Sequence, residues 1–162
     1  MSGAAKPRPQ PLLHVALWEP EIPPNTGNVA RLCAATGTAL HLIGRLGFRL
    51  DDRSLRRAGV DYWDATAVHR HATLEDFEED MRGQRVFCLS ARTGDRYTSV
   101  QYRRDDVLLF GGESHGLPDE VLGRHAGRVL TIPMPGTGVR SLNLATAVGI
   151  VLYEALRQVH GW

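Results

Sequence analysis

The sequence predicts an α/β domain: a mostly parallel sheet with helices on both faces. Three observations carry that reading. Short apolar runs of strand length alternate with longer helical patterns along the chain. Those runs are apolar at nearly every position, as strands covered on two faces are. Most of them end in Gly, Pro and small polar residues, and in such sheets ligands bind beyond the carboxyl ends of the strands.

The elements follow in order. LLHVALW (12–18) is a buried strand, and EPEIPPNTGN then breaks the chain. TGNVARLCAATG (26–37) reads as a helix, with Asn25 or Thr26 as its cap and Gly37 as its stop. TALHLIG (38–44) is the second strand. The charged excursion RLGFRLDDRSLRRAGVDYW holds a short helix near 53–58, and DATAVHRH gives a weak strand at 65–69. TLEDFEEDMRG (73–83) is an acidic helix with Thr73 as cap and acids in its first turn, where the helix dipole favours them. RVFCLSA (85–91) and DVLLFGG (106–112) are strands. LPDEVLGRH opens a short helix with Pro118 near its first turn. RVLTIPM (128–134) is the last strand, and 141–159 the last helix, with Ser141 a natural N-cap.

Composition narrows the class. The chain has 162 residues, 43% of them hydrophobic, which suits one domain over 12–162 with a full core. Residues 1–11, MSGAAKPRPQP, read as a disordered tail. No apolar run is long enough to span a bilayer, so no membrane partner is expected. A net charge of +1 does not announce a nucleic-acid partner in bulk. Cys33 and Cys88 lack paired spacing and read as reduced, buried thiols of a cytoplasmic protein. HRH at 69–71 places two histidines on one strand face. No further ligands stand nearby, so it reads as an exposed strand end, and no metal is expected.

The strand exits are the candidate site. EPEIPPNTGN, RTGD, GGESHGLP and PGTGVRSLN follow four of the strands. Several glycine-bearing loops at one sheet edge point to a shared pocket approached by backbone. It is not a conventional dinucleotide or ATP site. GTGVRS lacks the third glycine of G-x-G-x-x-G and follows the last strand, and no Gly-Lys-Ser/Thr occurs.

Four segments carry a resemblance: ALWEPEIPPNTGNVARLCAATG, DDRSLRRAGVDYW, LLFGGESHGLP and IPMPGTGVRSLNLATAVGIVLYEALRQ. In this order, over about 12–159, they resemble the motifs of the SpoU branch of the SPOUT RNA methyltransferases. Within it the similarity is to the small enzymes of the tRNA wobble position. The resemblance implies a deep C-terminal trefoil knot and S-adenosylmethionine as methyl donor, held by the exits at 89–94, 110–116 and 132–143. It places cofactor contacts at Leu89, Gly111, Ile132, Met134, Ser141 and Leu142, many through the main chain. Leu89, Ile132 and Leu142 also fit plain core packing.

The same resemblance puts Arg31, Glu113, Asn143 and Tyr153 in the catalytic set. A guanidinium is a poor base, with a pKa above about 12, so Arg31 reads as an anchor for the target phosphate or hydroxyl. Glu113 orders its loop, bonds Arg31 or positions substrate. Tyr153 fits the active site, the core or a dimer face. Asn25 and Asn28 serve as turn and cap residues or shape the substrate pocket, and Arg140 and His115 stand beside them on the substrate side. The family's middle motif is usually Pro-Glu-Thr-Arg-Gly; here it is Gly112-Glu113-Ser114-His115-Gly116, with a titratable side chain replacing Arg. PGTGV before Arg140 also departs from the usual polar stretch.

Arg45, Arg49, Arg53, Arg56 and Arg57 form a cluster suited to phosphates. The last helix is apolar at Leu144, Ala145, Val148, Val151, Leu152, Ala155, Leu156 and Val159, more than one sheet-facing stripe needs, so a homodimer is expected. The implied activity is methylation of a ribose 2′-hydroxyl at position 34 in a tRNA anticodon loop. A ribosomal RNA methyltransferase and a non-catalytic RNA-binding protein of the same fold are the alternatives.

Overall fold

In a computed structural model the chain is described over residues 9–51, 53, 57 and 65–162. The expected tail and the expected helix near 53–58 fall largely outside the described residues, as does Arg56. Among the described residues seven strands form one sheet: β1 His14–Trp18, β2 Ala39–Ile43, β3 Val68–His71, β4 Val86–Leu89, β5 Asp95–Arg96, β6 Val107–Phe110 and β7 Val129–Thr131. Their order is β3-β2-β1-β6-β4-β7-β5, and every pairing is parallel.

Among the described residues four α-helices cover the two faces: α1 Pro23–Thr36, α2 Leu74–Asp80, α3 Asp119–Arg124 and α4 Leu144–His160. Successive strand residues point to opposite faces, and both faces are apolar here. Val15, Leu17, Leu40, Leu42, Leu108 and Phe110 meet α1 and α4 through Val29, Cys33, Val148 and Leu152. Ala16, Ile43, Val107 and Leu109 meet α2 and α3 through Phe77 and Val121. Burial on both sides explains the unbroken apolar runs in the sequence.

Helix boundaries depart from expectation at two places that matter for the site. Helix α1 begins at Pro23, three residues early, with Ile22 as N-cap. A proline in the first turn loses no hydrogen bond there and arrives with its φ already helical. Asn25 and Thr26 are therefore inside the helix and are not its caps. Its end is as expected: Gly37 takes the left-handed conformation at φ 67°. Helix α4 begins at Leu144 and its N-cap is Asn143, which accepts from the Thr146 N–H. Ser141 is not the cap; it lies on the irregular segment before the helix. Thr73 caps α2 as expected, accepting from the Asp76 N–H at 3.1 Å.

The HRH run is also corrected. His69 is exposed, but His71 is 4% exposed and belongs to a buried chain of imidazoles. His14 Nδ1 lies 3.0 Å from His41 Nε2, His41 Nδ1 lies 2.9 Å from His71 Nε2, and His71 Nδ1 lies 3.3 Å from Asp80. Parallel register brings residues from three strands together here, which sequence spacing cannot reveal. Among the described residues no group of three or more His, Cys, Asp or Glu is arranged to hold a metal ion. No helix among them is long and apolar enough to cross a membrane.

Candidate functional site

A cavity of about 490 Å³ opens at the carboxyl ends of β4, β6 and β7, between the starts of α1 and α4. Leu89, Gly111, Ile132, Met134, Ser141 and Leu142, the six residues expected on the cofactor side, all line it. So do Glu113, Asn143, Asn25, Arg140 and His115. Arg31, Asn28 and Tyr153 do not line it. Asn28 and Arg31 are exposed on α1, three residues apart and so on one side of that helix. Tyr153 is 48% exposed on α4.

The middle loop folds back on itself. Gly116 N–H donates to the Gly112 carbonyl at 2.9 Å, and Gly116 sits at φ 65°. A side chain on Gly111 would lie 2.1 Å from the Gly116 backbone. Glycine is needed at both positions for the turn to close, and its closure aims Glu113 away from the loop.

Glu113 reaches the start of α1. It accepts from Glu21 N–H at 2.8 Å, Ile22 N–H at 3.1 Å and the Asn25 side-chain amide at 3.3 Å. The first turn of a helix exposes unpaired N–H groups and a partial positive charge, so a carboxylate there is favoured. Asn25, 8% exposed, turns its carbonyl oxygen to accept from the Asn143 amide at 3.0 Å. Asn143 in turn caps α4. One hydrogen-bonded line, Glu113–Asn25–Asn143, thus ties the middle loop to the first turns of α1 and α4. Asn25 is not a cap: it lies inside α1 and lines the cavity. For Glu113 the structure displays the ordering of the loop.

Sequence reading missed Glu21, Ser114 and Arg92. Ser114 and Arg92 line the cavity, and Arg92 lies 3.4 Å from Asp119. Glu21 accepts from Ser114 N–H at 3.1 Å and from its hydroxyl at 2.5 Å. Those bonds hold the Glu21 carboxyl below the usual carboxylate range. The partners are 93 positions apart, so no local pattern announces them. No nucleophile elbow is expected from the sequence, yet residues 112–116 have its G-x-S-x-G spacing. In the fold the Ser114 hydroxyl donates to the Glu21 carboxylate, with no imidazole between them. Cys33 and Cys88 are free and buried, and burial pushes each thiol up to about 12, so both are unreactive packing residues.

Comparison with known proteins places this geometry. A profile described as the SpoU rRNA Methylase family matches residues 12–153. The tRNA (cytidine(34)-2'-O)-methyltransferase of Escherichia coli K12 is 47% identical over 149 residues, covering 91% of this chain and 94% of that protein. A solved structure from work on 2-OH methylation of C/U34 on tRNA superposes with a TM-score of 0.88 at 52% identity, covering 93% of this chain and 97% of the other. An AdoMet-bound rRNA methyltransferase from Sinorhizobium meliloti superposes at 0.82 with 32% identity, covering 93% of this chain and 57% of the other.

Proposed function

The chain belongs to the SpoU rRNA methylase family, and from that membership we propose that it is an enzyme transferring a methyl group from S-adenosylmethionine to a ribose 2′-hydroxyl of tRNA. The target is nucleotide 34 in the anticodon loop, the position given in the names of its relatives. The observation that carries the reading is the single cavity assembled from three strand exits and two helix starts.

The residues present fit that cofactor. The cavity volume lies in the range of small-molecule sites, about 300–1,000 Å³. Leu89, Ile132, Met134 and Leu142 give apolar walls for an adenine, and the loop backbones at 110–116 and 132–143 offer polar partners for the rest. When bound, S-adenosylmethionine supplies an electrophilic methyl carbon on a sulfonium leaving group. The protein's part is alignment of the 2′-hydroxyl and help with its proton. Asn25, Glu113 and Asn143 fix the wall that a ribose must meet. Arg31, outside the cavity, anchors the RNA by a phosphate or a ribose oxygen, with Asn28 beside it. Arg140 and His115 extend the rim toward the substrate, and Tyr153 completes the set from α4.

Three further features belong to this reading. The C-terminal half forms a trefoil knot, as the resemblance to the family implies. Residues 12–162 act as one domain, in the cytoplasm where tRNA is processed. Two copies pair, because one small protomer offers little surface for a tRNA.

The test is transfer of labelled methyl from S-adenosylmethionine to total tRNA, followed by nucleoside analysis and mapping. Label on the 2′-oxygen of nucleotide 34 is expected. Label confined to ribosomal RNA overturns the target. No binding of S-adenosylmethionine in calorimetry overturns the enzyme.

A further inference from the structure

Two loops at the cavity exchange carboxylates. Glu113, after β6, reaches into the backbone of residues 21 and 22. Glu21, after β1, reaches back to Ser114 through the two bonds described above. The first half of this exchange belongs to the site already assigned. The second half has no role in the reading so far. Glu21 does not line the cavity, whereas Ser114 does.

The segment carrying Glu21 has little room to adjust. On one side, a side chain on Gly47 would lie 2.8 Å from the Glu21 Cα, and Gly47 N–H donates to the Pro20 carbonyl at 3.0 Å. On the other, a side chain on Gly112 would lie 2.6 Å from the Glu19 carbonyl. Residues 19–22 are therefore held between the loop after β2 and the loop after β6. They lead directly into α1, which presents Asn25 to the cavity and Asn28 and Arg31 beyond it. The Ser114 bonds are made to an ionised acceptor, and charge-assisted bonds of this kind are shorter and stronger than neutral ones.

We propose that Glu21 is a positioning residue for methyl transfer: by gripping Ser114 it sets the distance between the cofactor loop and the substrate-bearing start of α1. It touches neither reactant. Its effect comes from alignment, to which transfer between two bound groups is steeply sensitive. This inference rests on the methyltransferase reading.

The experiment measures turnover on tRNA and S-adenosylmethionine affinity for Glu21→Ala, Glu21→Gln, Ser114→Ala and the Glu21→Ala/Ser114→Ala double variant, all checked for an unchanged thermal midpoint. Glu21→Ala is expected to lower kcat about tenfold or more while the cofactor Kd stays within about threefold. Glu21→Gln keeps an acceptor for the Ser114 N–H and a donor for its hydroxyl, and is expected to recover kcat to within about threefold of wild type. The double variant is expected to be no slower than Glu21→Ala alone, because Glu21→Ala already breaks both bonds and Ser114→Ala removes only the hydroxyl one. Wild-type kcat in Glu21→Ala overturns the proposal. So does a fall in cofactor affinity equal to the fall in kcat, or a Gln variant no better than Ala. A wild-type protein that transfers no methyl at all overturns the methyltransferase reading, and this inference falls with it.

Discussion

Arg31 is exposed on α1 and stands outside the cavity whose wall Asn25 forms six positions earlier. That separation supports the proposed role of Arg31 on the RNA side. A guanidinium offers five donors in a fixed fork and keeps its charge at any working pH, which suits a phosphate or an oxygen that is losing a proton. Arg31→Ala is therefore expected to cut transfer to tRNA by about a hundredfold or more with the cofactor Kd changed less than about twofold, read by single-turnover assay and calorimetry. Equal losses in both would place Arg31 on the donor side. The residue scale also shows where sequence reading stops. Asn25, Glu113 and Asn143 were each legible as candidates because the motifs bear them. Their mutual contacts were not, since the Asn25–Asn143 bond spans 118 positions. Glu21 was invisible for the same reason, as it lies in a proline-rich run that reads locally as a breaker.

At the scale of elements, the strands and helices were legible because both sheet faces are apolar and the helices announce their ends. The errors came where side chains had two uses. Pro23 and Pro24 read as breakers yet open α1, and Ser141 read as a cap yet Asn143 takes that place. The imidazole chain is the largest feature that no element pattern contains. It joins β1, β2, β3 and α2, and it ends on the Asp80 carboxylate. Neutral rings that each carry the proton on Nδ1 can donate to the next Nε2 along the chain, which leaves the last N–H facing the Asp80 carboxylate, a group that only accepts. His41 lies at the centre, 2% exposed. Burial first, then His14, His69 and His71, lower its pKa from 6.5 to about 2. Phe77 meets its ring from α2, and Asp105 lies near His14. In the unfolded chain the same ring takes up a proton near its ordinary pKa, so protonation favours unfolding. The stability held by a neutral His41 is whole above about pH 6.5 and falls by about 1.4 kcal/mol per pH unit as the medium is acidified. His14 and His71 are also lowered by burial and act in the same direction. The urea midpoint of the wild type is expected to drop between pH 7 and pH 5, and His41→Gln to show a shallower drop over the same interval. Equal slopes would remove His41 from the acid response.

For the whole molecule, the question is what covers the remaining apolar surface. Eight positions on α4 are apolar and suggest a dimer face. Six of them, Leu144, Val148, Val151, Leu152, Ala155 and Leu156, are buried within the protomer, because α4 meets α1 as well as the sheet. The case now rests on other residues. Ile22 is 45% exposed, Tyr153 48% and Val139 68%. Ile22 lines the cavity, and Val139 precedes Arg140, which also lines it. A second copy seated on these side chains would remove apolar area from water. It would also join two sets of exposed arginines into a surface that matches a folded RNA better than one protomer does, while a net charge of +1 per chain keeps mutual repulsion small. Light scattering is therefore expected to give about twice the 17.9 kDa protomer mass. Val139→Asp puts a charge into the proposed contact. It is expected to return the mass to that of one protomer and to lower transfer to tRNA about tenfold or more. A wild-type particle of protomer mass at full transfer rate would show that one copy suffices, and the exposed Ile22, Val139 and Tyr153 side chains would then have to meet the tRNA itself.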